Sequence, residues 1–386
     1  MAFLPYGRQE IDDTDVAAVT AALRAPYLTQ GPMVERFEAA LAEFCGARYA
    51  VVFNSGTAAL HAAYAAAGIG PGHSVLTSPI SFVATANASL YLGGSVRFAD
   101  VDPDTALLDS GSADDHADRT IRAVVPVHFG GEVASVEVLA PIAEARHWLI
   151  IEDAAHAIGA RYRTGDGGEY QVGACAHSDF CCFSFHPVKQ LTTGEGGAVT
   201  TNDETAYRRL RRFRTHGITR DPAELETPEG SWYYEQHELG FNYRLTDIQS
   251  ALGLSQLARL PGWLAARRQV AVWYETRLAA LPQVRPLRRP ERSTGAHHLF
   301  VVRVPPAIRR SVYEAMTRQG IGVNVHYIPI YRQPFYRRAG VPGVPLRGAE
   351  AYYESALTLP LFPGMTETDV ERVVGALEAA VGVAVG

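Results

Sequence analysis

Short apolar segments typical of buried strands alternate with helical segments through the first two-thirds of the sequence, and this alternation limits the possible folds. The strand patterns include YAVVFN, SVLTS, SVRFADVD, IRAVVPVHF and WLIIED, and helical patterns such as SGTAALHAAYAAAG lie between them. Strands joined through helices form a mostly parallel sheet that helices cover on both faces. The sequence therefore predicts an α/β fold whose ligands bind beyond the carboxyl ends of the strands.

The pattern of predicted strands and helices changes after about residue 255. A long helical pattern, with a predicted break at Pro261-Gly262, is followed by the strand patterns HHLFVVRV and IGVNVHY, which a helix separates, and by a final amphipathic helix. A chain of 386 residues is also too long for one simple core. We predict an N-terminal arm and a large domain over residues 1–255, and a smaller C-terminal α/β domain over residues 256–386. The polar stretch 218–240 is longer than a plain connection requires, which predicts a functional or mobile segment.

The composition argues against several classes of protein. The net charge of −6 offers no basic surface for nucleic acid, and no apolar run is long enough to span a bilayer. The first segment, MAFLPYGRQEIDDTD, lacks the apolar centre of a signal peptide, so we expect a cytoplasmic protein without nucleic-acid or membrane partners. No CxxC pair occurs, which predicts no metal site and buried, reduced thiols at Cys45, Cys175, Cys181 and Cys182.

A candidate phosphate site lies at Asn54-Ser55-Gly56-Thr57, between a predicted strand and an alanine-rich helix. Free N–H groups at the start of a helix favour an anion, and Gly56 lets the backbone approach it closely. Taken alone, the same residues are more typical of an ordinary helix cap. Neither GxxxxGK[ST] nor GxGxxG occurs, so ATP hydrolysis and a simple dinucleotide site have no support.

Two further positions carry titratable side chains near predicted strand ends. Asp153 closes the strand pattern LIIED, and His156 follows three residues later. A carboxylate at the end of an interior strand needs a cationic or hydrogen-bonding partner. Alternatively, Asp153 caps a helical turn and His156 packs in the core.

Lys189 lies in the stretch FSFHPVKQLTTGEGG, between apolar residues and a glycine-rich turn. A lysine in an apolar, crowded site is desolvated, which lowers its pKa and frees the amine for Schiff-base chemistry. Ser184 offers a hydroxyl at the end of the preceding strand pattern. By itself, the lysine is more typical of an exposed loop.

The three features together indicate a binding site for pyridoxal 5'-phosphate (PLP). The cofactor needs a lysine amine for its aldehyde, a carboxylate for its ring nitrogen and donors for its phosphate. Lys189, Asp153 and the Gly56–Thr57 helix start supply these groups. The predicted chemistry is amino-group transfer, with pyridoxamine 5'-phosphate as the alternate form of the cofactor.

The stretches NSGTAAL, IEDAAHAIGA, FSFHPVKQLTTGEGGAV and GFNYRLTDIQSALGLSQL resemble motifs of the DegT/DnrJ/StrS sugar aminotransferases. The similarity extends from about residue 4 to the C-terminus. It implies fold type I, the aspartate aminotransferase fold, and a homodimer. It also implies that an amino group is transferred, usually from L-glutamate, to a ketone on a nucleotide-linked sugar.

The resemblance assigns roles to individual residues. Lys189 would form the Schiff base and move the proton, Asp153 would pair with the pyridine nitrogen, and His156 would lie beside the phenolic oxygen. The remaining cofactor contacts would come from Gly56, Thr57 and Ser184 at the phosphate, Phe82 over the ring, and Asn242, which would reach the phosphate of the partner subunit.

Within the family, YLTQGP, TSPISFVATANASLYLGG and VHYIPIYRQPFY resemble the C4 aminotransferases of pseudaminic acid biosynthesis, which act on a UDP-linked 4-keto-6-deoxy N-acetylhexosamine. By this resemblance, the sugar nucleotide would contact Tyr6, Tyr27, Leu28, Thr29, Arg244, Asn324, Val325, His326 and Tyr327. The alternative for each of the tyrosine-rich residues is a packed surface, and Arg244 could instead brace a subunit interface. HPVK followed by TTGEGG also resembles perosamine-type enzymes. A GDP-sugar C4 aminotransferase and a C3 sugar aminotransferase therefore remain alternatives.

Three other functions fit the sequence less well. Related sugar 3-dehydratases carry histidine at the position of Lys189. Regulators with aminotransferase-like domains append a helix-turn-helix domain, for which the sequence has neither room before residue 12 nor a basic stretch. An NAD-dependent oxidoreductase would need the glycine fingerprint that is missing here.

Overall fold

The computed structural model describes residues 2–115, 118–227, 229–340 and 346–385. In chain order, its strands are β1 (Tyr49–Phe53), β2 (Ser74–Thr77), β3 (Ser95–Phe98), β4 (Ile121–Val125), β5 (Leu149–Asp153), β6 (Arg161–Arg163), β7 (Glu169–Gln171), β8 (Phe180–Ser184), β9 (Gly197–Thr201), β10 (Ile218–Thr219), β11 (Glu235–Gln236), β12 (Arg285–Pro286), β13 (Ser293–Thr294), β14 (Phe300–Arg303) and β15 (Ala356–Leu359). The α-helices are α1 (Asp13–Arg24), α2 (Pro32–Cys45), α3 (Gly56–Ala66), α4 (Ala84–Tyr91), α5 (Ser110–Asp115), α6 (Val136–Arg146), α7 (Glu204–Arg214), α8 (Asp247–Leu278), α9 (Arg309–Arg318), α10 (Pro334–Arg338), α11 (Arg347–Ser355) and α12 (Glu367–Val385).

The central sheet has seven strands in the order β1-β9-β8-β5-β4-β2-β3. Strands β8, β5, β4, β2 and β3 pair in parallel, whereas β9 is antiparallel to both of its neighbours. Asp153, at the end of β5, pairs with Cys182 in β8. Because parallel strands end at the same edge of a sheet, Asp153 and Ser184 come together there. The predicted α/β fold with a mostly parallel sheet is confirmed.

Helices cover both faces of this sheet, as the continuous apolar strand patterns predict. Val51 and Phe53 of β1 pack with α3 and α7 on one face. Val52 lies on the opposite face, in a cluster with α2 and the first half of α8. The four cysteines are buried and free, as predicted.

Helix α8 continues through Pro261, so the predicted break there is wrong. A proline inside a helix costs about 3 kcal/mol, and packing on both sides of it offsets this cost. Leu257 and Leu260 lie in the core of the large sheet, whereas Val270 and Tyr274 lie in a second core with α9, α12 and strands β14 and β15. Helix α8 therefore passes from one hydrophobic core to the other. The predicted domain boundary at residue 255 stays a prediction.

The strand predicted for IGVNVHY is also wrong. Residues 321–327 form only isolated bridges, from Ile321 to Leu4 and from Asn324 to Thr358. The alternating pattern reflects side chains that pack on different neighbours along an irregular path. Leu4 of the N-terminal arm thereby joins the core of the C-terminal part of the chain.

The segment 218–240 contributes β10 and β11, which pair with each other. Its Trp232 is 72% exposed. A functional role for this segment stays a prediction, and Pro228 lies outside the described residues.

Within the described ranges, no helix is both long and apolar enough to cross a membrane.

Candidate active site

A cavity of about 470 Å³ opens at the carboxyl ends of β5 and β8. It brings together ten of the residues that the sequence singled out: Tyr6, Gly56, Thr57, Phe82, Asp153, His156, Ser184, Lys189, His326 and Tyr327. Most of them follow strands of the sheet or open a helix next to it. The topology of the large domain therefore assembles the cavity from segments that are distant in sequence.

Helix α3 begins at the floor of this cavity. Ser55 is its cap, and the Ser55 Oγ accepts a hydrogen bond of 3.1 Å from the N–H of Ala58. In the part of the chain that the structure describes, the N–H groups of Gly56 and Thr57 have no acceptor. The cap and the anion site are therefore compatible, because the cap uses one N–H and leaves two for an anion.

Gly56 lies directly against the end of β8. A Cβ at this position would lie 2.8 Å from the Ser184 Cβ and 3.0 Å from its Oγ. Only glycine allows this approach, which brings the two N–H groups and the Ser184 hydroxyl into one corner. That set of donors fits a phosphate group.

We expect Gly56→Ala to weaken PLP binding by about tenfold or more, because the added methyl group forces α3 away from Ser184. Titrating the apoenzyme with PLP measures this loss. Gly262→Ala is the matched control, since a Cβ at Gly262 would meet no atom within 4 Å. Equal PLP affinity in the two variants would show that the contact with Ser184 does not shape the phosphate site.

Asp153 is 4% exposed and is held by two hydrogen bonds. The Thr85 hydroxyl donates to its Oδ2 at 2.6 Å, and the Ala155 N–H donates to its Oδ1 at 3.2 Å. Ser81 Oγ lies 2.7 Å from Thr85 Oγ1 and can donate to it in turn. A buried carboxylate held in this way suits a cationic partner in the cavity, such as a protonated ring nitrogen.

His156 is buried and neutral. Burial, and after it the charge of Lys189, holds the pKa of His156 well below its usual range. The N–H of Gly130 donates to its Nδ1 at 3.3 Å, so the ring proton is on Nε2. Nε2 lies 3.3 Å from the Tyr327 hydroxyl. His156 is therefore a hydrogen-bond donor at the cavity wall.

Lys189 is partly buried between these groups. Burial lowers the pKa of its amine to about 8, against the opposing effect of the Asp153 charge. A substantial fraction of the amine is therefore neutral near physiological pH. It is also the only lysine in the sequence, since the other 34 of the 35 Lys and Arg residues are arginines. The single lysine amine of the sequence therefore belongs to the cavity that Asp153 and His156 line, and an arginine could not supply the same chemistry.

Phe82 lies at the mouth of the cavity with 59% of its surface exposed. Its ring centroid is 6.4 Å from that of Tyr327. An exposed aromatic ring at this position can cover a flat ligand that lies between Asp153 and Lys189. Together with the anion corner, these residues fit PLP at its phosphate, its ring and its aldehyde.

Several predicted contact residues do not line this cavity. Tyr27 and Leu28 are exposed, and Thr29 bridges to Thr246 at the start of α8. Arg244 lines a separate cavity of about 600 Å³, and Asn242 is exposed, with its carbonyl accepting from Asn54 Nδ2 at 3.4 Å.

Asn324 and Val325 also lie outside the lining of this cavity. Asn324 Nδ2 is 3.3 Å from His326 Nε2, which places Asn324 behind a cavity residue. The proposed roles of all these residues stay predictions.

Sequence reasoning missed several residues of the site. Thr85, which holds Asp153, lies in a predicted helix and has no motif of its own. The His298 ring lies 4.3 Å from that of His156 between centroids, and His186 and Glu195 line the cavity. These residues depend on contacts between distant segments, which no local pattern shows.

The fold and this site define a PLP-dependent aminotransferase of fold type I. The chain belongs to the DegT/DnrJ/EryC1/StrS aminotransferase family, whose pattern matches residues 9–378. It is a sugar aminotransferase, as its sequence predicts. Among the described residues, no group of three or more His, Cys, Asp or Glu side chains suits a metal ion.

Three similar proteins illustrate the relationship. The spore coat polysaccharide biosynthesis protein SpsC of Bacillus subtilis is 35% identical, covering 97% of this chain and 96% of its own. Helicobacter pylori PseC, an aminotransferase involved in the biosynthesis of pseudoaminic acid, is 30% identical with a TM-score of 0.91, over 99% of this chain and all of its own. The sugar aminotransferase Spr1654 of Streptococcus pneumoniae in its PLP form is 25% identical with a TM-score of 0.90, over 99% of both chains.

Proposed function

We propose that the enzyme transfers the amino group of L-glutamate to the C4 ketone of a UDP-linked 4-keto-6-deoxy N-acetylhexosamine. The product is a 4-amino-4,6-dideoxy sugar nucleotide. The observation that carries the proposal is the single lysine amine, in one cavity with a buried carboxylate and an anion corner. The likeness over nearly the whole chain to PseC, an aminotransferase involved in the biosynthesis of pseudoaminic acid, supports a sugar of this class, and the resemblance of the sequence motifs favours C4.

Each residue of the site has its own role in the proposed reaction. PLP, when bound, supplies the electron sink that stabilises charge on the substrate carbon. Lys189, with its lowered pKa, takes the proton from that carbon and returns it on the other side of the transfer. Asp153 would keep a proton on the ring nitrogen, and the Nε2–H of His156 would donate to the phenolic oxygen. The N–H groups of Gly56 and Thr57 hold the phosphate.

The open side of the cavity offers groups that suit a sugar. The rings of Tyr6 and His326 lie 5.5 Å apart between centroids, and the Thr358 Oγ1 lies 2.9 Å from His326 Nδ1 and orients that ring. Burial raises the pKa of Tyr327, so its hydroxyl stays protonated. Neutral hydroxyl and imidazole groups on aromatic faces recognise sugar hydroxyls.

Running the reaction in reverse tests the substrate. Purified enzyme with 2-oxoglutarate is offered UDP-linked 4-amino sugars, GDP-linked 4-amino sugars and 3-amino sugars, and glutamate formation is measured. We expect kcat/KM for the UDP-linked 4-amino-4,6-dideoxy N-acetylhexosamine to exceed the others by about tenfold or more. A preference for the GDP-linked sugar or for the 3-amino sugar would replace the proposed substrate with that alternative.

We further propose that the enzyme is a homodimer in which each subunit completes the other's site. Asn242, Arg244 and Tyr27 lie outside their own cavity, which is what residues that serve a partner's site require. In a dimer with two-fold symmetry, each of these residues would occur twice, once at each of the two active sites.

Mixing two inactive variants tests this sharing. We expect Lys189→Ala and Asn242→Asp homodimers to be nearly inactive, because the first lacks the amine and the second places a carboxylate against the partner's phosphate. Subunits of the two variants, separated and reassociated together, would rebuild one intact site in each hybrid and recover about a quarter of the wild-type activity. No recovery, despite hybrids detected by mass spectrometry, would place Asn242 in its own subunit's site or in none.

A further inference from the structure

A small polar chamber lies next to the substrate cavity. Lys189 belongs to the walls of both. The chamber leaves about 10 Å³ of room for the centre of a water molecule, which is enough for one water. Its other walls include Glu10, Gln190, Thr192, Gln256, Trp263 and Arg267.

Three buried polar atoms at this chamber have no hydrogen-bond partner among the described residues: Glu10 Oε1, Gln190 Oε1 and Arg267 Nε. Gln190 is 3% exposed and Arg267 is 1% exposed. Leaving such buried atoms without partners destabilises the folded chain. A ligand of matching size and hydrogen-bonding capacity would remove this cost.

The orientation of two of these side chains is determined by their other contacts. Gln190 donates its Nε2–H to the backbone carbonyl of His156, which leaves its Oε1 as a free acceptor. Arg267 donates through Nη1 to three backbone carbonyls, of which the Leu361 carbonyl is nearest at 3.2 Å. Its Nε–H has no acceptor among the described residues and is left as a donor.

Glu10 connects the chamber with solvent. Its backbone carbonyl accepts a hydrogen bond of 2.9 Å from Gln256 Nε2, which fixes its position. Its Oε1 forms an ion pair of 3.5 Å with Nε of Arg8, which also lines the chamber, but this contact lacks the geometry of a hydrogen bond. The side chain is nevertheless 30% exposed, so it touches both the chamber and bulk water.

We propose that this chamber binds one ordered water that relays protons between the Lys189 amine and the Glu10 carboxylate. The water donates its two hydrogens to Glu10 Oε1 and Gln190 Oε1. It accepts from Arg267 Nε–H and from the free Lys189 ammonium. Its two donors and two acceptors match the available groups one for one.

The relay moves one proton and conserves charge. A proton leaves Lys189 Nζ for the water while the water passes another to Glu10, which turns an ammonium and a carboxylate into an amine and a carboxylic acid. Glu10 then exchanges its proton with solvent. This inference rests on the proposed role of Lys189 as the proton carrier. It predicts that a hydrogen taken from the donor's Cα exchanges with solvent while Lys189 holds it.

Isotope exchange with holoenzyme tests the relay. Enzyme, L-glutamate and 2-oxoglutarate are incubated in deuterium oxide, and deuterium at the glutamate Cα is measured per transamination event. We expect Glu10→Gln to lower this ratio by about a third, because the amide takes no proton and the Lys189 ammonium, which already carries two deuterons, then returns the abstracted hydrogen in about one event of three. Glu371→Gln, on the exposed face of α12, is the matched control, and thermal unfolding confirms that both variants fold.

A crystal structure of the wild-type enzyme that resolves water molecules is the second test. It does not depend on any variant. A water within hydrogen-bond distance of Glu10, Gln190 and Arg267, together with the lowered ratio, supports the relay. A chamber without that water, or an unchanged ratio in Glu10→Gln, overturns it. If the wild type neither transaminates nor exchanges with glutamate, the proposed amino donor is wrong, and the crystal structure alone decides the water site.

Discussion

Replacing Lys189 with alanine is expected to lower kcat for transamination by at least about 10⁴-fold, because the variant loses both the nucleophile and the proton carrier. Lys189→Arg should lower kcat by as much, since a guanidinium stays protonated and cannot form a Schiff base with the cofactor. Steady-state assays with glutamate and a keto sugar nucleotide measure the loss. No other lysine exists in the sequence that could substitute for the missing amine.

Two observations would argue against this role of Lys189. One is an alanine variant that retains a rate within about tenfold of the wild type, which is less than a missing catalytic base costs. The other is recovery of activity in Lys189→Arg. Because circular dichroism can show that each variant folds, a lost fold would not be mistaken for lost chemistry.

Asp153→Asn is expected to lower kcat by about 10³-fold. The amide keeps the size of the side chain but removes the charge that holds a proton on the ring nitrogen. Thr85→Val should act in the same direction with a smaller effect, about tenfold, because it removes one hydrogen bond to the carboxylate. The visible spectrum of bound PLP, recorded against pH, checks that the change lies in the protonation of the cofactor.

The neighbouring residue provides a matched control for Asp153. Glu152 points to the opposite face of the sheet, where its carboxylate lies 2.6 Å from the buried His128 Nε2 and accepts from the Ser178 hydroxyl. Glu152→Gln makes the same chemical change one residue away, so it should lower the melting temperature and leave kcat nearly unchanged. Equal losses of kcat in the two variants would assign the effect of Asp153 to folding.

The fold of the large domain could be predicted because each of its strands and helices has a recognisable pattern within a short stretch of sequence. The apolar runs that become β1, β2, β4 and β5 are buried on both faces, so their composition alone indicates a parallel sheet. Parallel strands that end at one edge then explain why Asp153 and Ser184 meet. Lys189 was singled out by its position after the strand pattern of β8, between apolar residues and a glycine-rich turn, together with the phosphate site and Asp153.

The features that sequence reasoning missed depend on contacts between distant segments. No local pattern shows that Thr85 supports Asp153, or that Glu10, Gln190 and Arg267 converge on the chamber that Lys189 also lines. Pro261 was read as a helix break because local propensity disfavours proline there, whereas two hydrophobic cores hold the helix together.

The central claim is that the amine of Lys189 binds PLP covalently, and borohydride reduction followed by peptide mass spectrometry tests it most directly. Reduction fixes the cofactor to whichever amine holds it. We predict that the added mass of one phosphopyridoxyl group falls on the peptide that contains Lys189, and nowhere else. A holoenzyme that shows PLP absorbance but carries no label at Lys189 after reduction would contradict the account.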